Sequence, residues 1–394
     1  MFALFAALAA LVLVMLGVES ISRQWLSRHP RYYVYPPGVR LRVHPDRKVF
    51  PRLPPTARFM VNREGERGDE LPASTQGLYR ILVAGGSQPE GYFLDQDASW
   101  PGVLQRRLAS QERLARLGAS TVHVGCLARS GVGSEALDVM FSRILPQYPR
   151  LHMIITLIGA SDVVRWIEQD TPDVLPPVQV TDVFRCVPET AFGWTPRRLA
   201  TTELLRRARR RWVRPIKVDA QAGRWVGRAR AMRANARIVR TTVPDPRPML
   251  DHFEHHFRRA LMRAKAHADR VLVVRQPWFD KKYSPEEAAA MWHGGVGHAW
   301  REDVTTYYSF DVFVRLMREL DDRAAAVARS LDVEQLDLMP ILERSLNTYY
   351  DAVHLTDSGA LQVANAVTAA ILREQLPQRQ AIASELTDAA ARVS

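Results

Sequence analysis

Short apolar runs that alternate with helical stretches constrain this chain more than any other feature. The runs are residues 79–84, 121–125, 153–158, 270–275 and 333–336. Each is rich in aliphatic residues, lacks strict alternation and is closed by turn residues, which suits strands buried on both faces. Helical patterns lie between them at 99–117, where a serine precedes Trp-Pro, and at 133–149, 309–331 and 357–376. Strands that alternate with helices predict a parallel sheet covered on both sides, with its sites at the carboxyl ends of the strands.

Between Asp170 and Phe257 the alternation stops, and one or two very basic helices are expected as an insertion over about 170–257. From Arg197 to Arg240 there are fifteen Lys or Arg residues against two acids, Glu203 and Asp219. That excess accounts for the whole net charge of +12, so the basicity belongs to one segment and not to the fold. The rest of the composition, 47% hydrophobic and 24% charged, is that of a globular chain.

Met1 to Val18 has no charged residue and is just long enough to span a bilayer. No small-x-small site precedes Glu19 and no basic region precedes the apolar run, so an uncleaved anchor is expected in place of a signal peptide. Arg23, Arg28 and Arg31 lie just after the run, and the positive-inside rule would keep the C-terminal part of the chain in the cytoplasm. A Pro/Arg-rich extension over 19–76 leads into the main domain, expected over 77–377, and a frayed tail covers 378–394.

Four chemical motifs fall at strand ends. Gly85-Gly86-Ser87 follows the first strand and Gly131 the second. Gly159-Ala160-Ser161-Asp162 follows the third, and "DAVHLTDSG", with Asp351 and His354, lies between the fifth strand and the last helix. In this order the sequence resembles the SGNH (GDSL-type) hydrolases, over about 62–166 and 269–372, and in particular bacterial members with an N-terminal membrane segment. The resemblance implies a flavodoxin-like three-layer α/β/α sandwich around a five-stranded parallel sheet. It implies Ser87 as nucleophile, His354 as its base and Asp351 as the group that orients the imidazole. The backbone N–H groups of Ser87 and Gly131 would face a developing oxyanion. Ser161 stands where the family carries an asparagine side chain as the third donor, and Cys126 replaces another asparagine often found before the second glycine. The resemblance implies no cofactor and no metal.

Other features have competing readings. "GVGSEA" fits a loose dinucleotide pattern, but it follows the second strand and no acidic residue closes the next one. His252 and His256 stand at helical spacing with no third metal ligand evident. The stretch 275–300 follows the fourth strand and is expected as a lid, with Trp278 and Trp292, together with Gly86, lining the substrate pocket or packing in the core. Cys126 and Cys186 form one bridge or remain two free thiols. The basic segment is a solvated helix pair, a surface for anionic lipid, or a site for an acidic polysaccharide or nucleic acid. No aromatic interleaving favours nucleic acid, and none is expected as a partner.

The expected function is a membrane-anchored esterase or deacylase acting on ester groups, with O-acetyl groups of envelope polysaccharide as a substrate class. An acyltransferase would use the same residues. The rival expectation is a non-catalytic binding or scaffold subunit with a membrane-protein partner. The expected location is the inner membrane, with the domain in the periplasm.

Overall fold

A strand that is apolar on both faces must be sandwiched between layers, and this requirement sets the centre of the molecule. The computed structural model describes residues 2–28, 31–187, 199–212 and 216–375. In chain order, helix α1 (Phe2–Arg28) precedes strands β1 (Arg40–Pro45), β2 (Ala57–Met60) and β3 (Leu78–Gly85). Then come helices α2 (Ser87–Glu90), α3 (Trp100–Leu108) and α4 (Gln111–Arg116), strand β4 (Thr121–Cys126), helix α5 (Ser134–Ile144) and strand β5 (Leu151–Leu157). Helices α6 (Ala160–Glu168), α7 (Val180–Val183) and α8 (Ala200–Trp212) come next, then β6 (Ile216–Ala222), α9 (Arg224–Ala234) and β7 (Ile238–Arg240). The last part holds α10 (Arg247–His267), β8 (Ala268–Val274), α11 (Pro285–Ala290), β9 (Thr306–Tyr308), α12 (Phe310–Ser330), β10 (Glu334–Leu336) and α13 (Asp357–Leu372).

The five apolar runs form one parallel sheet in the order β10-β8-β5-β3-β4. Counted by first appearance in the sheet, this is the flavodoxin-like order 2-1-3-4-5. Successive connections leave β3 and β5 toward opposite sides, which opens a crevice at their carboxyl ends. Helices α5, α10 and α12 pack on one another in one layer, and α3 packs on α13 in the other. The apolar side chains of sheet and helices join in one core.

The helical pattern over 99–117 forms two helices. Ser99 caps α3 by accepting from the Gly102 N–H, but the extended backbone at Ser110 ends that helix and starts α4. The stretch 133–149 stops being α-helical at Ile144, just before Leu145-Pro146.

The segment 170–257 differs from the expectation in two ways. It contributes strands as well as helices: β6 joins β1 and β2 in a small sheet, and β7 pairs with β9. Its last residues belong to α10, which buries Met249, Leu250, Phe253, Phe257, Ala260, Leu261 and Ala264. That apolar face packs in the helical layer beside α5 and α12, so the added material ends before Arg247. Arg197 and Arg198, and the tail 378–394, lie outside the described residues. Cys126 and Cys186 are both free thiols.

Helix α1 is long and apolar enough to cross a membrane, with a mean hydropathy of 2.5 and almost none of the apolar window buried. Only its foot packs on the rest of the protein, through Glu19, Ser22 and Leu26.

The placement of α10 has a measurable consequence. Phe253→Ala is expected to lower unfolding free energy by about 3–5 kcal/mol in urea titrations. Leu205→Ala, on the exposed face of α8, should change it by less than about 0.5 kcal/mol.

Candidate active site

Strand β3 ends at Gly85 because nothing larger fits. A Cβ there would lie 2.0 Å from the Leu157 carbonyl oxygen at the end of β5. Gly86 is nearly as confined, with the Val132 carbonyl 3.1 Å and Ser161 Oγ 3.4 Å from the position of a Cβ. Two glycines therefore let the chain turn between two strand ends and open α2 with Ser87 as its first residue.

Asp351 and His354 come from the loop between β10 and α13, whose start is fixed by Thr356 accepting from the Gly359 N–H. The Ser87 hydroxyl lies 2.7 Å from His354 Nε2, and His354 Nδ1 lies 2.8 and 2.9 Å from the two Asp351 oxygens. Asp351 is 1% exposed and also accepts from the Val353 and His354 N–H groups and from Trp292 Nε1 at 2.9 Å. Burial alone would raise its pKa, but His354, His293 and the hydrogen bonds outweigh it and hold the carboxyl well below the usual carboxylate range. An ionised carboxylate requires the proton on Nδ1, which leaves Nε2 as the acceptor for the serine hydroxyl.

Among the described residues, the N–H groups of Ser87 and Gly131 have no hydrogen-bond partner. Gly131 adopts φ +83°, a conformation that suits glycine. Ser161 is in the first turn of α6, beside Gly86. All three groups expected at the oxyanion position thus lie at the same sheet end. A groove of about 410 Å³ runs from Gly131 and Ser161 toward Arg165, Gln169 and Val178.

Three supports of this loop were not singled out in the sequence. The Glu90 carboxylate accepts from the Ser130 N–H at 2.9 Å and from the Ser130 hydroxyl, immediately before Gly131. Tyr35, from the N-terminal extension, donates its hydroxyl to the other Glu90 oxygen. The buried Asp162 carboxylate accepts from the Ser134 N–H at 2.9 Å and from its hydroxyl at 2.6 Å. Burial pushes the Asp162 pKa up to about 6 against those hydrogen bonds. Asp162 belongs to the Gly159–Asp162 motif, whereas Glu90 and Tyr35 carry no local signal.

The tryptophans expected to line the pocket do other work. Trp278 is buried, as the packing alternative has it. Trp292 holds Asp351 through its indole N–H and stacks on His293 at 3.9 Å. His293 is 3% exposed, and burial pushes its pKa down to about 3, with His354, Arg233 and Arg230 acting in the same sense and Asp351 against them. Two arginines of the basic segment are half-buried here as well. Arg230 donates to the carbonyls of Ala290, Val49 and Tyr350, and Arg233 to those of His293 and Tyr308. Arg233 also stacks on Phe310 at 3.8 Å, and burial lowers its pKa to about 10.

The histidines at 252 and 256 do gain a third neighbour that the sequence did not reveal. Glu135 Oε2 lies 3.4 Å from His252 Nε2, but that carboxylate already accepts from Arg165 and from the Val178 N–H.

No family model and no curated relative matches the chain. Among solved structures it is similar to an acetylxylan esterase from Geobacillus stearothermophilus, at TM-score 0.39 and 11% identity over 75% of this chain and 93% of the other. It is also similar to an α/β hydrolase enzyme from the metagenome of Lake Arreo, Spain, at TM-score 0.39 and 12% identity over 74% and 94%. A lipolytic protein of the G-D-S-L family from Veillonella parvula gives TM-score 0.38 and 10% identity over 74% and 96%. The fold rests on the strand order described above and not on these likenesses.

The neutral, buried His293 makes stability pH-dependent in a defined direction. Its folded pKa is depressed to about 3 from 6.5, so the unfolded chain binds a proton that the folded chain refuses. Stability is full above about pH 6.5 and falls toward pH 3, at up to about 1.4 kcal/mol per pH unit from this one group. In urea titrations at pH 7 and pH 5, His293→Asn is expected to show a smaller loss between the two pH values than the wild type.

Proposed function

We propose that the chain is a membrane-anchored serine esterase that removes acyl groups from ester-bearing polysaccharide. The observation that carries this reading is the hydrogen-bonded series Ser87–His354–Asp351, at 2.7 and 2.8 Å, beside two unpaired backbone N–H groups. In the proposed reaction His354 Nε2 takes the Ser87 proton as Oγ attacks the acyl carbonyl carbon. The carbonyl oxygen becomes an oxyanion facing the N–H groups of Ser87 and Gly131 and the Ser161 hydroxyl. His354 then protonates the leaving alcohol, and the C–O ester bond breaks to leave an acyl-Ser87. Water, deprotonated by His354, attacks that acyl group and frees the serine. Transfer to a sugar hydroxyl would take the same steps with the hydroxyl in place of water.

The sequence resemblance supports O-acetyl groups of the cell envelope as the substrate class and the periplasm as the side on which the domain lies. The arginines at 23, 28 and 31 favour the opposite side by the positive-inside rule. Phosphatase and fluorescent-protein fusions at the C-terminus distinguish the two. Phosphatase activity with a dark fluorescent fusion is expected, and the reverse pattern would place the domain in the cytoplasm.

Ser161 motivates a second reading. A lost oxyanion donor typically lowers rate about 10²–10³-fold, and a short hydroxyl in place of an amide suits a subunit that binds without turnover. Labelling with a fluorophosphonate separates the readings. Intact mass is expected to show one adduct in the wild type and none in Ser87→Ala. No adduct on the folded wild type would favour the binding subunit.

A further inference from the structure

We propose that α8 lies on the membrane surface as an arginine platform for anionic lipid headgroups, and that Glu19 of the anchor helix holds it there. This rests on reading α1 as a membrane anchor. The apolar part of α1, from Phe2 to Val18, is exposed along its whole length, so it stands clear of the protein. The first polar residue after it, Glu19, is only 5% exposed. Its Oε1 accepts from the Ala200 N–H at 2.9 Å, and its Oε2 accepts from the Thr201 N–H at 3.1 Å and the Thr201 hydroxyl at 2.9 Å. Arg23, one turn further along α1, donates to the same carboxylate at 2.8 Å.

These contacts do the work of a helix N-cap. The first N–H groups of a helix lack partners within it and favour a negative group. Here that group comes from the anchor helix, 181 residues away in sequence. The start of α8 is thereby fixed at the level where the apolar run ends, which is the headgroup level of a bilayer if α1 is inserted. Ile21 and Trp25, on the next turns of α1, are exposed at that level, where an indole ring is favoured.

The chemistry of α8 fits the position. It carries Arg206, Arg207, Arg209, Arg210 and Arg211 against one acid, Glu203, which pairs with Arg207 at 3.2 Å. Leu205 is 69% exposed among them, an apolar residue suited to the acyl boundary. Arg230 and Arg233 of α9, by contrast, donate to carbonyls near the candidate active site. Arg206 and Arg209 of α8 are exposed, and they stand next to the anchor. A single-sign cluster at that site matches the negative potential of an anionic leaflet.

The test uses the full chain in nanodiscs of phosphatidylcholine, with and without phosphatidylglycerol, read by hydrogen–deuterium exchange. Amides of 200–209 are expected to exchange about threefold or more slowly in the anionic discs. That difference should vanish in about 1 M salt, where the screening length is about 3 Å. It should also vanish when Arg206, Arg207 and Arg209 are all replaced by glutamine, with fluorophosphonate labelling of Ser87 unchanged. Equal exchange in both discs overturns the platform while leaving the anchor intact. Failure of the chain to enter either disc overturns both.

Discussion

The buried Asp351 carboxylate is the interaction on which the candidate site depends. A charge taken out of water is costly unless it is paired and hydrogen-bonded on every side. Asp351 meets that condition with two backbone N–H groups of its own loop, the His354 ring and the Trp292 indole. Each donor comes with a requirement of its own. The loop must turn tightly, the imidazole must carry its proton on Nδ1, and the 275–300 stretch must pack over the sheet end. His293 is drawn into the same arrangement, since the Trp292 ring stacks against it and the second imidazole is buried.

The central sheet was legible because its signal is local and repeated. Five aliphatic runs, each ending in a turn, leave few topologies open, and the glycines at 85 and 86 mark the strand end where a side chain cannot fit. Ser87, Asp351 and His354 were legible because motif and strand position agreed. What escaped detection depends on contacts between distant segments. Nothing near Glu90 in sequence announces that it supports Ser130, and nothing near Trp292 indicates that its N–H reaches Asp351, 59 residues away. Strands β6 and β7 were hidden by a different cause. They lie in an arginine-rich segment, and their pairing partners are far away in the chain.

The basic segment shows why net charge alone says little about function. Its arginines stand in different environments. Arg230 and Arg233 of α9 sit among carbonyl oxygens and aromatic rings, where a planar guanidinium can satisfy several acceptors at once. Those of α8 are spread along a helix tied to the foot of α1. A sum over the sequence treats the two alike, although a half-buried guanidinium bonded to carbonyls contributes less to the outward field than an exposed one.

The hydrogen bond from Tyr35 to Glu90 gives the N-terminal extension a role that its composition conceals. Tyr35 reaches the loop before Gly131 through Glu90 and Ser130, and Arg67 from the same extension donates to the carbonyls of Glu90, Gly91 and Leu94 at the end of α2 and just beyond it. Residues 31–67 are therefore a built-in splint and not a tether. A chain begun at residue 77 for convenience of expression would keep every residue of the Ser87–His354–Asp351 series and lose the brace that holds its surroundings in register.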